Sequence, residues 1–268
     1  MGIEIMEDQT MDTRLDTRIN DLAIVILAAG KGSRMKSDKP KVLHKVAKKS
    51  MVAHVLDSAV GLTRGNIYVV VGHQAQRVKD EISQFYPVNF VFQKDLLGTG
   101  DAVKQALPRL DPKVKDVLVL CGDVPLIKES TLVDLLENHR KTKAKISVLA
   151  VTVTDPFGYG RIVLDEKGDM VCIREEADAT RAEKQITTIN AGIYCFEKIF
   201  IDEAIDSIRP DNNQSEYYLT DLVEIARSRK EKISVVVTDD SRQVMGVNTL
   251  DELETAESLI QQIENELP

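Results

Sequence analysis

The chain has 268 residues, 43% of them hydrophobic and 29% charged, which suits one large α/β domain or one domain with an extension. Its 43 acidic residues exceed its 35 basic ones, giving a formal net charge of −8 and arguing against a nucleic-acid binder that needs a broad basic surface. No apolar stretch approaches the roughly 20 residues needed to cross a bilayer, so neither nucleic acid nor membrane is an expected partner.

Residues 1–21 are polar and mixed in charge, with no apolar segment for secretion, and read as a flexible arm. Met1-Gly2 lacks the Ser or Thr at position 6 that myristoylation wants, and Met6 and Met11 leave the start codon open. Four short runs rich in Val, Ile and Leu follow: 22–30, 66–72, 88–93 and 116–123. Runs without polar alternation suit strands covered on both faces. Segments 45–62, 74–85 and 98–110 between them have helix-like spacing. Strand, helix, strand in repetition predicts a three-layer, Rossmann-like α/β fold with a mostly parallel sheet.

After about residue 145 the rhythm changes. Segments 146–153, 160–165, 170–175 and 187–196 suggest added strands, making the sheet mixed. Polar 209–221 reads as a loop before another helix, and 232–238 as one more strand. From Thr249 a capping box with Glu252 opens a predicted amphipathic helix. Its apolar face is Leu250, Leu253, Ala256, Leu259, Ile260 and Ile263. The expected division is an arm (1–21), a main domain (22–248) and a C-terminal helix (249–268).

Cys121, Cys172 and Cys195 sit in apolar runs with no CxxC spacing and read as buried, reduced thiols of a cytoplasmic protein. His44, His54, His73 and His139 form no HxxxH or HExxH pair.

Ligands of open α/β sheets gather beyond the carboxyl ends of the strands. There the loop from Ala28 to Lys41 offers glycines for close backbone approach and Lys31, Arg34, Lys39 and Lys41 as charge, a pattern suited to phosphate. It is no Walker loop, because Lys31 precedes Gly32 and position 25 is Val. It also fails the dinucleotide pattern GxGxxG, since residue 35 is Met. A turn with solvated lysines remains the plainer reading. Asp123, after a buried strand, suits either a helix cap or a hard-cation ligand. Gln93 ends a strand with an amide able to read a pyrimidine edge, or is a polar strand end. Gly98-Thr99-Gly100 can open a helix toward a ligand.

In this order, "LAAGKGSRMKSDKPKVLHKVAKK", "QKDLLGTGDA", "CGDVPLI", "FGYGRI", "NAGIY", "NNQSEYYLTD" and "GVN" resemble the sugar-nucleotide pyrophosphorylase family. The later segments resemble its GlmU branch, whose N-terminal half is an N-acetylglucosamine-1-phosphate uridylyltransferase. The resemblance spans residues 22 to 266. It implies the nucleotide-diphospho-sugar transferase fold, UTP and a sugar-1-phosphate as partners, Mg²⁺ as cofactor, and a place in cell wall biosynthesis. It implies that Leu27, Ala28 and Gly30 wrap the nucleotide, while Gln93, Gly98 and Thr99 meet uracil. Arg34 would hold the leaving phosphates, Lys41 the α-phosphate, and Asp123 and Asn248 the metal. Gly160, Glu175, Asn190 and Thr220 would bind the sugar phosphate.

Three departures from the family pattern bear on the exact sugar: Cys121 for a common aromatic, Asp101 for a common histidine, and Ala191 for a common threonine. No hexapeptide-repeat β-helix follows the last helix, so acetyltransferase activity is not expected, and a monomer or weak dimer is. The alternatives are a sister enzyme using another sugar or base, or a non-catalytic nucleotide sensor. A sensor would be expected to lose Arg34, Lys41, Asp123 or Asn248, and all four are present.

Overall fold

A computed structural model describes residues 19–266. Residues 1–18 of the expected arm lie outside that range. In chain order the elements are β1 (Leu22–Ala28), β2 (Lys45–Val46), β3 (Lys49–Ser50), α1 (Met51–Ala59), β4 (Ile67–Val71) and α2 (Ala75–Ile82). Then come β5 (Asn89–Phe92), α3 (Thr99–Ala106), β6 (Asp116–Cys121), α4 (Glu129–Thr142), β7 (Ile146–Thr152) and β8 (Arg161–Leu164). The remainder are β9 (Met170–Arg174), β10 (Thr188–Glu197), α5 (Lys198–Ala204), α6 (Asp221–Ser228), β11 (Ile233–Thr238) and α7 (Leu250–Glu266).

The main sheet has the order β11-β7-β10-β6-β1-β4-β5, with the β8–β9 hairpin attached to β10. Only β10 runs against the other six strands of that path. The fold is therefore the expected mixed, mostly parallel α/β sheet. Side chains alternate across each strand, so β1 supplies both faces: Ala23 and Val25 enter one core, Leu22, Ile24 and Ile26 the other. Each core is closed by helices, which is why β1, β4 and β6 read as unbroken apolar runs. The edge strands β5 and β11 are only partly covered.

Three expectations change. The segment 45–62 is not one helix: Lys45–Ser50 forms the β2–β3 hairpin, with Ala47 and Lys48 at φ 45° and 67°. The Ala47 N–H bonds the Glu257 carboxylate at 2.5 Å, so α7 holds the turn. A helix absent from the expectations, α4, buries Thr131, Leu132, Leu135, Leu136 and His139 along one stripe. The arm's last residues are tied down: the Ile19 N–H bonds the Leu62 carbonyl at 3.0 Å, and Asp21 pairs with Arg140 at 2.7 Å.

The capping box of α7 forms, with Thr249 N–H donating to Glu252 at 2.9 Å and Glu252 N–H to Thr249 Oγ1 at 3.2 Å. Ala256 and Ile260, flanked by Leu253 and Leu259, pack on Val46, Met51, Leu126 and Val247. Leu250, expected on that face, is instead 49% exposed. No helix among the described residues is long and apolar enough to cross a membrane.

Candidate active site

Parallel pairing puts the ends of neighbouring strands at one edge of the sheet. The register Leu27↔Cys121 sets the loop after β1 beside Gly122 and Asp123, and Gly122 N–H fastens the two by donating to Leu27 carbonyl at 2.9 Å. Val247 N–H donates to the Asp123 carbonyl at 2.9 Å, which brings Asn248 in from the far end of the chain. Glu252 holds the Asn248 N–H at 2.5 Å, so the helix cap also positions that residue.

Four polar groups meet at this point. Lys41 Nζ is paired with the Asp123 carboxylate and donates to Asn248 Oδ1 at 2.9 Å. Arg34 donates to the same Oδ1, also at 2.9 Å. The lysine and aspartate side chains retain only 17% and 18% exposure, so the pair is largely screened from water. Asp123 and Asn248 thus already direct two oxygens at a cation, here an ammonium. An oxygen-only set of one carboxylate and one amide suits Mg²⁺, which takes few protein ligands and completes its shell with water and phosphate oxygens.

Two cavities open from this centre. The larger, about 500 Å³, is lined by Leu27, Ala28, Gly30, Lys41, Gln93, Gly98, Thr99 and Asp123 among others. The smaller, about 200 Å³, is lined by Gly160, Glu175, Asn190 and Thr220 and shares Leu27, Thr99, Cys121 and Asp123 with the first. Arg34 and Asn248 line neither cavity; Asn248 joins the cluster through Lys41, and Arg34 through Asn248. Every residue to which the resemblance gives a role therefore lies in this one region, whereas Lys39 lines neither cavity.

Sequence reasoning missed several lining groups, including Leu96 and Glu216 in the larger cavity and Tyr159 and Tyr194 in the smaller. Glu216 arrives because its neighbour Tyr217 ties the polar loop to α3, donating to Leu97 carbonyl at 2.7 Å and accepting from Gly100 N–H at 2.8 Å. Its place in "NNQSEYYLTD" was the only signal. Cys121 is half-buried in the floor shared by both cavities, not fully buried as expected. Its enclosed Sγ donates to Gly192 carbonyl at 3.3 Å, and burial, reinforced by Asp123, pushes the thiol up to about 12. It is a lining group, not a nucleophile.

In the smaller cavity Thr220 Oγ1 donates to Glu175 at 3.1 Å. Burial pushes the Glu175 carboxyl above its usual range despite that bond. Asn190 donates to Tyr194 Oη at 2.6 Å and accepts from Gly192 N–H at 3.0 Å, across a bulge in β10. Nearby, burial and then the charge of Glu224 push Asp221 up to about 6. A raised acid stabilises the fold below its unfolded value of 3.8 and loses that contribution as pH rises through 6. Asp221→Asn is thus expected to leave the melting temperature unchanged near pH 4 and raise it at pH 8, as read by thermal melts across that range.

Two glycines separate fold from site. Gly98 has φ +116°, and an added Cβ would lie 2.6 Å from the Tyr217 carbonyl oxygen. Gly98→Ala is expected to cost about 1–3 kcal/mol in denaturant melts. At Gly30 an added Cβ meets nothing within 4 Å. Gly30→Ala should therefore melt like the parent, and its cost should appear only when the larger cavity is filled.

A phosphate-type loop, two basic side chains and a carboxylate–amide pair thus lie together at the carboxyl edge of a mostly parallel sheet, an arrangement suited to nucleotide phosphates. The chain belongs to the MobA-like NTP transferase domain family, whose description matches residues 24–183. It is 42% identical over 237 residues to the bifunctional protein GlmU of Heliobacterium modesticaldum, covering 88% of this chain and 51% of that protein. It is 40% identical over 238 residues to the GlmU of Desulfotalea psychrophila, covering 89% and 70%. The chain thus spans about half the length of most of these relatives. Among solved structures, CMP:2-keto-3-deoxy-manno-octonic acid synthetase complexed with CTP superposes with a TM-score of 0.67 at 18% identity, covering 91% of this chain and 99% of that one. The 4-diphosphocytidyl-2C-methyl-D-erythritol synthase of Anaerococcus prevotii gives 0.62 at 18%, covering 90% and 99%. At that identity the likeness is one of fold.

Proposed function

We propose that the protein transfers uridylyl from UTP to N-acetylglucosamine-1-phosphate, releasing pyrophosphate. The observation that carries this reading is the pair of cavities meeting at Asp123, beside Lys41, Arg34 and Asn248. A nucleotide in the larger cavity and a sugar phosphate in the smaller would bring their phosphates together at that junction. The GlmU relatives support the choice of substrates, and the two cytidylyl-type neighbours suggest that side chains, more than the fold, choose the base.

The attacking sugar-phosphate oxygen is already an anion, so no general base is needed. The difficulty is holding two polyanions in line, which calls for positioning and cationic stabilisation. Lys41 would neutralise the α-phosphate under attack. Arg34, on the solvent side of the same cluster, would hold the departing β,γ-phosphates. Asp123 and Asn248 would hold Mg²⁺, which when bound neutralises phosphate charge that the lysine and arginine alone leave uncovered. Burial raises the Glu175 carboxyl above its usual range, and from the wall of the smaller cavity its oxygens can accept a hydrogen bond from a sugar hydroxyl or amide.

The test is pyrophosphate release across UTP, CTP, ATP and GTP with several sugar-1-phosphates, with Mg²⁺ present or chelated. Turnover highest for UTP with N-acetylglucosamine-1-phosphate supports the reading. A preference for another base or sugar would move the protein to a sister activity, and silence throughout would favour a nucleotide sensor.

A further inference from the structure

We infer that Asp101 is a positioning residue that fixes the orientation of the Gln93 amide, and thereby makes the nucleotide cavity reject cytosine in favour of uracil. The inference rests on the proposed nucleotide site and names what sets its base preference.

Gln93 is 3% exposed and lines the larger cavity. Its Nε2 donates to the Asp101 carboxylate at 2.7 Å and to the Gly98 carbonyl at 3.1 Å. An amide nitrogen has two hydrogens, so both donors of the head group are engaged by the protein. Both acceptors are themselves held. Gly98 carbonyl also takes the Ala102 N–H of α3 at 3.1 Å, and the other Asp101 oxygen takes Gln105 Nε2 at 3.0 Å. Asp101 lies in the first turn of α3, where the helix N-terminus favours a negative side chain.

A carboxylate offers only acceptors. If the amide turned over, Gln93 Oε1 would face the Asp101 and Gly98 oxygens with no hydrogen between them, a like-with-like contact in a water-poor site. Asp101 therefore locks the amide with Oε1 as the only group left to a ligand. Where Oε1 meets ring position 3, uracil presents N–H and cytosine presents a bare nitrogen. The first contact is a hydrogen bond and the second opposes two lone pairs, so discrimination comes from a built-in repulsion as well as an attraction. A neutral residue at 101 with its own donor would weaken the lock to the Gly98 carbonyl alone, because the amide could then turn against that one oxygen and present N–H to cytosine.

The experiment measures kcat/KM for UTP and CTP, with Mg²⁺ and N-acetylglucosamine-1-phosphate, in the parent and in Asp101→Asn. Asparagine has the same shape and can donate to a turned amide. The expected result is a UTP:CTP ratio narrowed roughly tenfold to a hundredfold, with kcat/KM for CTP rising in absolute terms and the UTP loss appearing in KM. A merely structural lesion lowers both substrates together and cannot raise CTP. Asp101→Ala, which removes one of the two acceptors holding the amide and supplies no donor, should narrow the ratio less. It provides the same reading if the asparagine variant melts early. A parent that prefers UTP, with the ratio unchanged in folded Asp101 variants, overturns this inference and leaves the proposed function standing. A parent that does not discriminate, or prefers CTP, overturns both.

Discussion

Lys41→Ala is expected to reduce turnover by about 10²–10³-fold, the usual loss for one group aimed at charge in a transition state. The loss should lie in kcat more than in KM, since the charge Lys41 meets grows as the α-phosphate is attacked. The fold should persist. The lysine opens a short 3-10 turn over Lys41–Leu43, and among the described residues its ammonium contacts Asp123 and Asn248. Removing it leaves Asp123 partly exposed and free to rehydrate, so thermal melts should move by only a few degrees. Lys41→Arg is the informative companion. Gly32, at φ +62°, packs so closely that an added Cβ would lie 2.5 Å from Lys41 Cβ, which pins the stem of the side chain. A bulkier guanidinium on that pinned stem cannot reproduce the ammonium position and should recover little activity. Pyrophosphate release at saturating substrate decides the matter: near-parental kcat in folded Lys41→Ala would remove Lys41 from the chemistry.

The strands were legible because β1, β4, β6 and β7 are buried on both faces, and burial leaves a continuous apolar run as its trace. α4 left no such trace. Its stripe of Leu132, Leu135 and Leu136 is interrupted by Asp134 and Glu137 on the solvent face and followed by a basic tail. The β2–β3 hairpin was illegible for another reason: its turn uses Ala47 and Lys48 at positive φ, where glycine or asparagine would have signalled it. At the site, chemical types could be read but contacts could not. Lys41 and Asn248 lie 207 positions apart and touch only because the Asp123 carbonyl captures Val247. Gln93 and Asp101 were each noticed separately, one as an amide and one as a departure. That they form a single unit depends on the turn at Gly98.

Asp123→Asn tests the other half of the cluster and is expected to match the lysine substitution in turnover, about 10²–10³-fold, with a different dependence on metal. In the described structure the carboxylate balances Lys41, while Asn248 Oδ1 is shared between Lys41 and Arg34. An amide at 123 keeps the shape and the carbonyl oxygen but removes the carboxylate charge paired with Lys41. Two cations would then face two neutral amide oxygens, and a divalent ion entering there would meet repulsion that no carboxylate offsets. The half-saturating Mg²⁺ concentration should therefore rise by roughly tenfold or more, whereas in Lys41→Ala it should hold or fall because a competing cation has gone. Opposite shifts in metal requirement, at similar losses in turnover, are what a shared carboxylate predicts. A Mg²⁺ titration that moved the same way in both variants would mean that Asp123 serves the lysine alone, and that the metal is held elsewhere.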